Sequence, residues 1–304
     1  MNAKSQARLS TLREYILWGE RCLDDANLVF GHGTDNALDE AAWLAGSAIG
    51  IAPQEVDAQL DRTLSPPEQA GVRALIEARI ATRKPAAYLL HEAWFAGLQF
   101  YVDERVIVPR SLVGEFILEE FQPWIKKDRV RAALDLCTGS GCIAVALAKT
   151  FTAARVDAVD ISPDALEVAR INIANHRLEE RVRLLRSDLF SSLTNERYDL
   201  IVTNPPYVGS VEFDHLPPEY RHEPAIALAS GSDGLDAVSR ILAQARDHLT
   251  PGGLLVVEVG NSRDALEARY PNVPFMWLTN ATGDECVFLL DAQQLDAQRA
   301  AFRA

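Results

Sequence analysis

Paired cysteines, long apolar runs and an excess of basic charge are all missing from this chain. The four cysteines, Cys22, Cys137, Cys142 and Cys286, are scattered, with no CxxC pair and no histidine at metal-ligand spacing. That excludes a zinc ribbon and a disulfide framework, and leaves free thiols in a reducing compartment. The six histidines are dispersed as well, so no metal site is expected. No run of about 18 apolar residues occurs, and the N-terminal residues carry no apolar signal-like core. A cytoplasmic protein without a membrane span is the expectation. Lysine and arginine total 30 against 43 acidic residues, a formal net charge of −13. So acidic a chain binds nucleic acid poorly in a non-specific way; the acidity serves solubility in the first place, and a basic partner would also suit it. Internal repeats and low-complexity segments are absent.

What is present suffices for one large or two modest globular domains: 304 residues, 48% hydrophobic and 24% charged. Within residues 4–30, Leu9, Leu12, Tyr15, Ile16, Leu23 and Val29 recur at near-helical spacing. Gly31–His32–Gly33 stops that pattern, and Asp35 and Asn36 can open a second helix. Ser65–Pro66–Pro67–Glu68 combines a cap, a proline at the first helical position and a capping-box glutamate. The helix it opens should run to about Thr82. Residues 1–83 therefore read as a small helical domain. Residues 84–110 read as a linker with a β-hairpin, because Trp94, Phe95, Leu98, Phe100 and Val102 flank a turn near Gly97. A helix is predicted over 110–121.

From residue 131 onward strands alternate with helices, which argues for an α/β fold with a mostly parallel sheet covered on both faces. Strands are predicted at 132–137, 155–160, 182–186, 198–203 and 254–259. Two closing strands, 275–279 and 285–290, suggest an antiparallel hairpin at the C-terminal edge of the sheet. Residues 111–304 make up this second domain.

Asp135–Leu136–Cys137–Thr138–Gly139–Ser140–Gly141 ends the first of these strands and opens a helix. Its glycines allow a tight turn and close approach of a ligand to the backbone. Gly139, Gly141 and Ala144 also fit the dinucleotide pattern GxGxxG/A, so glycines alone do not separate NAD from other adenosine ligands. Asp135 does: a negative charge there repels pyrophosphate but accepts from an ammonium group. Asp160, at the end of the second strand, suits ribose hydroxyls, and Asp188, after the third, suits an adenine amino group. The set of acids matches S-adenosylmethionine, which has an ammonium, a ribose and an adenine but no phosphate.

Asn204–Pro205–Pro206–Tyr207 follows the fourth strand. Two prolines cannot continue a ladder, and Pro205 keeps Asn204 out of helical space. A bare turn would satisfy those constraints. Beside a methyl donor, however, the Asn204 side-chain oxygen, the Pro205 carbonyl and the Tyr207 ring suit the gripping of a planar NH2 group. Glu223 is a candidate for holding a substrate backbone or else belongs to a plain surface turn, and Arg110 and Ser111 either shape the mouth of the pocket or simply join the hairpin to the next helix.

Together the loop 135–141, Asp160, Asp188 and the Asn-Pro-Pro-Tyr tetrapeptide resemble a Rossmann-like class I S-adenosylmethionine-dependent methyltransferase. Over nearly its whole length the chain resembles the HemK/PrmB-type glutamine methyltransferases, which carry a helical substrate-recognition domain, a linking hairpin and a methyltransferase domain. Gly31–His32–Gly33–Thr34–Asp35–Asn36, Val108–Pro109–Arg110–Ser111 and Tyr220–Arg221–His222–Glu223–Pro224 resemble the branch acting on large-subunit ribosomal protein three. The release-factor branch usually has Arg-Pro-Asp-Thr-Glu where this chain has Pro109–Arg110–Ser111–Leu112–Val113–Gly114–Glu115. The resemblance implies cofactor contacts from Asp135, Thr138, Gly139, Ser140, Gly141, Asp160, Asp188, Leu189 and Asn204, and no metal. It implies that Asn204, Pro205 and Tyr207 are catalytic, and that Pro206, Arg110 and Glu223 join them in binding substrate. Leu189 stands where the release-factor enzyme has an aromatic beside the adenine. A protein substrate is implied, free or in an assembling subunit. The open alternatives are a release factor as substrate, an exocyclic amine of a nucleic acid, or a non-methylating NAD-binding protein.

Overall fold

The structure, a computed structural model, describes residues 9–303. Two compact units emerge: residues up to Glu92 together with Pro217–His222, and Ala93–Leu216 together with Glu223 onward.

In the first unit, Thr11 caps the helix Leu12–Asp25 through a capping box with Glu14. Residues 4–8 of the predicted pattern lie outside the described residues. Asn36 caps Ala37–Ala48, its side chain accepting from the Asp39 N–H at 2.9 Å. Glu68 Oε2 takes both the N–H and the hydroxyl of Ser65 at 2.8 Å, at the start of Pro66–Thr82. The linker expected from residue 84 begins later, because Ala86–Leu90 forms one more short helix and the unit extends to Glu92. Its core includes an ionic cluster: Arg79 Nε donates to Glu40 Oε1 at 2.7 Å, and Glu219 Oε1 accepts from Arg83 at 2.6 Å and from the Val29 N–H at 3.1 Å. Arg79, Glu40 and Glu219 are all fully buried.

The second unit opens with the hairpin β1 (Ala93–Phe95) and β2 (Leu98–Phe100), turned by Ala96 and Gly97, both at positive φ (48° and 73°). The helix predicted over 110–121 is confined to Val113–Leu118. Glu120 and Phe121 take left-handed φ values of 59° and 51°, which end it. Then follow β3 (Ala132–Leu136), β4 (Arg155–Asp160), β5 (Val182–Arg186), β6 (Tyr198–Thr203), β7 (Leu249–Glu258), β8 (Met276–Leu278) and β9 (Val287–Asp291). They form one seven-stranded sheet in the order β5-β4-β3-β6-β7-β9-β8. The first five of that order are parallel, and β9 pairs antiparallel with both β7 and β8.

Strand residues alternate between two apolar layers, as expected when both faces are covered. Ala133, Val156, Leu200, Val202, Leu254 and Val256 pack on the side of the helix Cys142–Thr150. Leu134, Leu136, Val159, Ile201, Leu255 and Val257 pack on the side of Asp236–Ala245. Strand order reverses between β3 and β6, and open α/β sheets place ligands at such a switch point, beyond the carboxyl ends of the strands. Leu136 pairs with Thr203 there, so the glycine loop and the Asn-Pro-Pro-Tyr stretch leave the sheet side by side. Among the described residues no helix is long and apolar enough to cross a membrane.

Candidate active site

A cavity of about 280 Å³ opens beyond the carboxyl ends of β3, β4, β5 and β6. Gly139, Asp160, Asp188, Leu189, Asn204 and Pro206, all expected from the sequence, line it. Cys137 and Leu189 follow their strands at left-handed φ of 64° and 49°. Non-glycine residues in that region mark backbone over-determined by its surroundings, often at a ligand site.

Asp160 spreads its carboxylate over the loop: Oδ2 accepts from the Gly139 N–H and Oδ1 from the Ser162 N–H, both at 2.9 Å. Burial nevertheless pushes its pKa above the ordinary range. Each of its oxygens keeps a second lone pair for a hydroxyl. Asp188 is half-exposed and ion-paired with Arg240 at 2.8 Å. Arg240 also lines the cavity, and no motif pointed to it.

Asp135, Thr138, Ser140 and Gly141 are not on the cavity wall; they build the loop behind it. Asp135 Oδ2 accepts from the Thr138 hydroxyl at 2.5 Å and from the Ala144 N–H at 2.9 Å. Its Oδ1 is buried with no hydrogen-bond partner among the described residues. Burial pushes the carboxyl up to about 7. Gly141, at φ +81°, caps Cys142–Thr150, and a Cβ there would lie 3.2 Å from Ala169 Cβ. Asn172 fastens the loop from the next helix: its Nδ2 donates to the Ser140 carbonyl at 2.8 Å and the Tyr101 carbonyl at 2.9 Å, and its Oδ1 accepts from the Tyr101 N–H at 2.7 Å. A lone asparagine inside a helix gave no sequence signal of that task.

A second, smaller cleft adjoins the cavity, lined by Arg110, Asn204, Pro205, Tyr207 and Val208 among others. Asn204 borders both spaces. Its Oδ1 is buried and has no hydrogen-bond partner among the described residues. A buried acceptor left unpaired costs about 1–3 kcal/mol, which a donor arriving in the cleft recovers. Glu223, expected to face a substrate, is occupied otherwise. It is buried, and its carboxylate forks onto Arg110 at 2.5 and 2.7 Å while Oε1 also accepts from the Val108 N–H at 2.9 Å.

A family model matches a part of each unit. Residues 14–90 match the PrmC N-terminal domain, and residues 115–215 match the Methyltransferase small domain. The ribosomal protein uL3 glutamine methyltransferase of Neisseria meningitidis serogroup B is 50% identical over 288 residues, covering 94% of this chain and 95% of the relative. Its namesake from Bordetella pertussis is 46% identical over 297 residues, covering 97% of this chain and 100% of the relative. Among solved structures, the hMettl16 catalytic domain in complex with MAT2A 3'UTR hairpin 6 aligns with a TM-score of 0.50 at 16% identity, over 76% of this chain and 84% of that one, a likeness of fold alone.

Proposed function

The chain belongs to the HemK/PrmB-type glutamine methyltransferases, and from that premise we propose that it transfers a methyl group from S-adenosylmethionine to the side-chain amide nitrogen of a glutamine in ribosomal protein uL3. The observation that carries the reading is the unpartnered Asn204 Oδ1, buried where the larger cavity meets the smaller cleft. The name shared by the relatives supplies the substrate, and a net charge of −13 suits a basic ribosomal protein. Residues 1–83 serve substrate recognition, and 111–304 carry the chemistry. The enzyme works in the cytoplasm under this reading, on free or assembling substrate.

The chain's acids fit the cofactor. Asp160 would hold the ribose hydroxyls, and Asp188, sharing itself with Arg240, the adenine amino group. Asp135 Oδ1, a buried acceptor short of a donor, suits the ammonium. Gly139 gives close backbone approach and Leu189 an apolar wall. When bound, S-adenosylmethionine supplies a methyl group made electrophilic by its sulfonium.

An amide nitrogen is a weak nucleophile, because its lone pair is delocalised into the carbonyl. Asn204 Oδ1 and the Pro205 carbonyl accept its two N–H hydrogens and fix its orientation, so positioning supplies much of the rate. The same two acceptors stabilise positive charge growing on the nitrogen. Pro206 holds the turn, and Tyr207 closes over the amide plane. Arg110, locked by Glu223, shapes the cleft wall. No residue needs to act as a strong base, since the product loses its proton after transfer.

Replacing Asn204 by alanine tests this. Calorimetric affinity for S-adenosylmethionine should fall far less than methyl transfer into uL3, which drops by about 100-fold or more. Full activity in Asn204→Ala would overturn the reading.

A further inference from the structure

The segment Glu258–Val259–Gly260–Asn261–Ser262, which leaves the end of β7, encloses Tyr207 from three directions. The Ser262 hydroxyl donates to the Tyr207 carbonyl at 2.9 Å. The Tyr207 ring lies against Gly260, where an added Cβ would sit only 2.3 Å from Cε2 and 2.7 Å from Cζ. Gly260, at φ +48°, is thus a bare floor under the ring. The third contact is a carboxylate: Glu258 Oε1 faces the Tyr207 hydroxyl at 3.5 Å.

Glu258 is only 4% exposed, and its other oxygen is fully engaged. Oε2 accepts from the Ser111 hydroxyl at 2.6 Å and from the Leu112 N–H at 3.0 Å. A single buried acid therefore joins the Asn-Pro-Pro-Tyr stretch to the chain that follows Arg110. A buried carboxylate is costly to keep, so a purely packing role would be served better by an apolar residue of similar size. Burial raises its pKa above the ordinary range, and the Ser111 and Leu112 donors and the Arg110 charge offset only part of that rise. On the Tyr207 side burial raises the phenol's pKa, and the Glu258 charge adds to that, so the phenol keeps its proton and donates toward Oε1.

We propose that Glu258 is the positioning residue for Tyr207, holding the phenol through Oε1 so that the ring covers the substrate amide in the cleft. It deepens the glutamine-amide reading and rests on it. The acid does not touch the reacting atoms; it acts through the tyrosine.

Two isosteric changes test it with the full chain and uL3 as substrate. Glu258→Gln keeps an oxygen for Ser111 and Leu112 but replaces the acceptor facing Tyr207 with a donor. Tyr207→Phe removes only the hydroxyl. Each should lower kcat about tenfold with KM and cofactor affinity unchanged, and the double variant should be no worse than either single one. In tyrosine-ring NMR with labelled Cζ atoms, Glu258→Gln should move the resonance that Tyr207→Phe deletes, whatever the activity. Additive losses, a fully active Glu258→Gln, or an unmoved Tyr207 resonance would each overturn the proposal. Wild-type protein that methylates no glutamine overturns the underlying reading instead, and the NMR outcome still decides whether Glu258 holds the ring.

Discussion

A carboxyl group cut off from water holds its proton until the pH nears its raised pKa, and Asp135 is such a group. Burial lifts it from near 3.8 to about 7, and the donors Thr138 and Ala144 offset only part of the rise. The sign follows. Between those values the native state binds the proton that the unfolded chain has already lost, so this residue's contribution to stability falls as pH rises toward 7 and is level above it. A cation placed at Oδ1 favours the ionised form, so cofactor binding below pH 7 should expel the proton. Calorimetry at about pH 6 in buffers of different ionisation heat should show release of about one proton, lost at about pH 8. Buffer-independent heats at both values would contradict the role given to Asp135. Gly139, Asp160, Asp188 and Asn204 could be picked out from the sequence and line the cavity, because each follows a strand end at a motif position. Glu258 and Asn172 were invisible: Glu258 meets Ser111 across 147 positions and Asn172 meets Tyr101 across 71, and no local pattern encodes such contacts. The bond between Glu223 and Arg110 was equally hidden, the two lying 113 positions apart.

Elements were legible where periodicity and punctuation agreed. The strands of the sheet show apolar residues on both faces, and Ser65–Pro66 starts its helix where predicted. The helix predicted over 110–121 shrank because Ser111 and Leu112 are pulled onto Glu258 and because residues 120 and 121 turn left-handed. The glycine loop depends on one such backbone position. Gly141 combines φ +81° with a Cβ approach of 3.2 Å to Ala169. Gly141→Ala should cost about 1–2 kcal/mol in chemical denaturation from the left-handed conformation alone. It should also weaken cofactor binding, since the strain falls on the turn that Gly139 shares. Unchanged stability and unchanged affinity would mean that the loop tolerates a side chain there.

On the scale of the whole molecule, the sequence divides into a helical part and a sheet part, with the helical part expected to end at residue 83, whereas the helical unit runs on to Glu92. The assignment of Pro217–His222 to the helical unit was not readable from the sequence. Those residues lie between stretches of the sheet unit, and what ties Glu219 to Arg79, Arg83 and Val29 is a buried ionic cluster rather than a pattern. Within that cluster burial drives the Glu40 carboxyl above its ordinary range, and Arg79 brings it partly back. Arg79→Met leaves Glu40 without its partner and should destabilise the helical unit by about 3–5 kcal/mol, read by urea denaturation of the full chain. A loss below that of an ordinary surface substitution would show the cluster to be dispensable. The most direct test of the account as a whole is mass spectrometry. Purified protein, S-adenosylmethionine and unmethylated ribosomal protein uL3 should yield a single addition of about 14 Da, located by fragmentation on a glutamine side chain. Transfer to a release factor or to RNA, with uL3 unchanged, would contradict it.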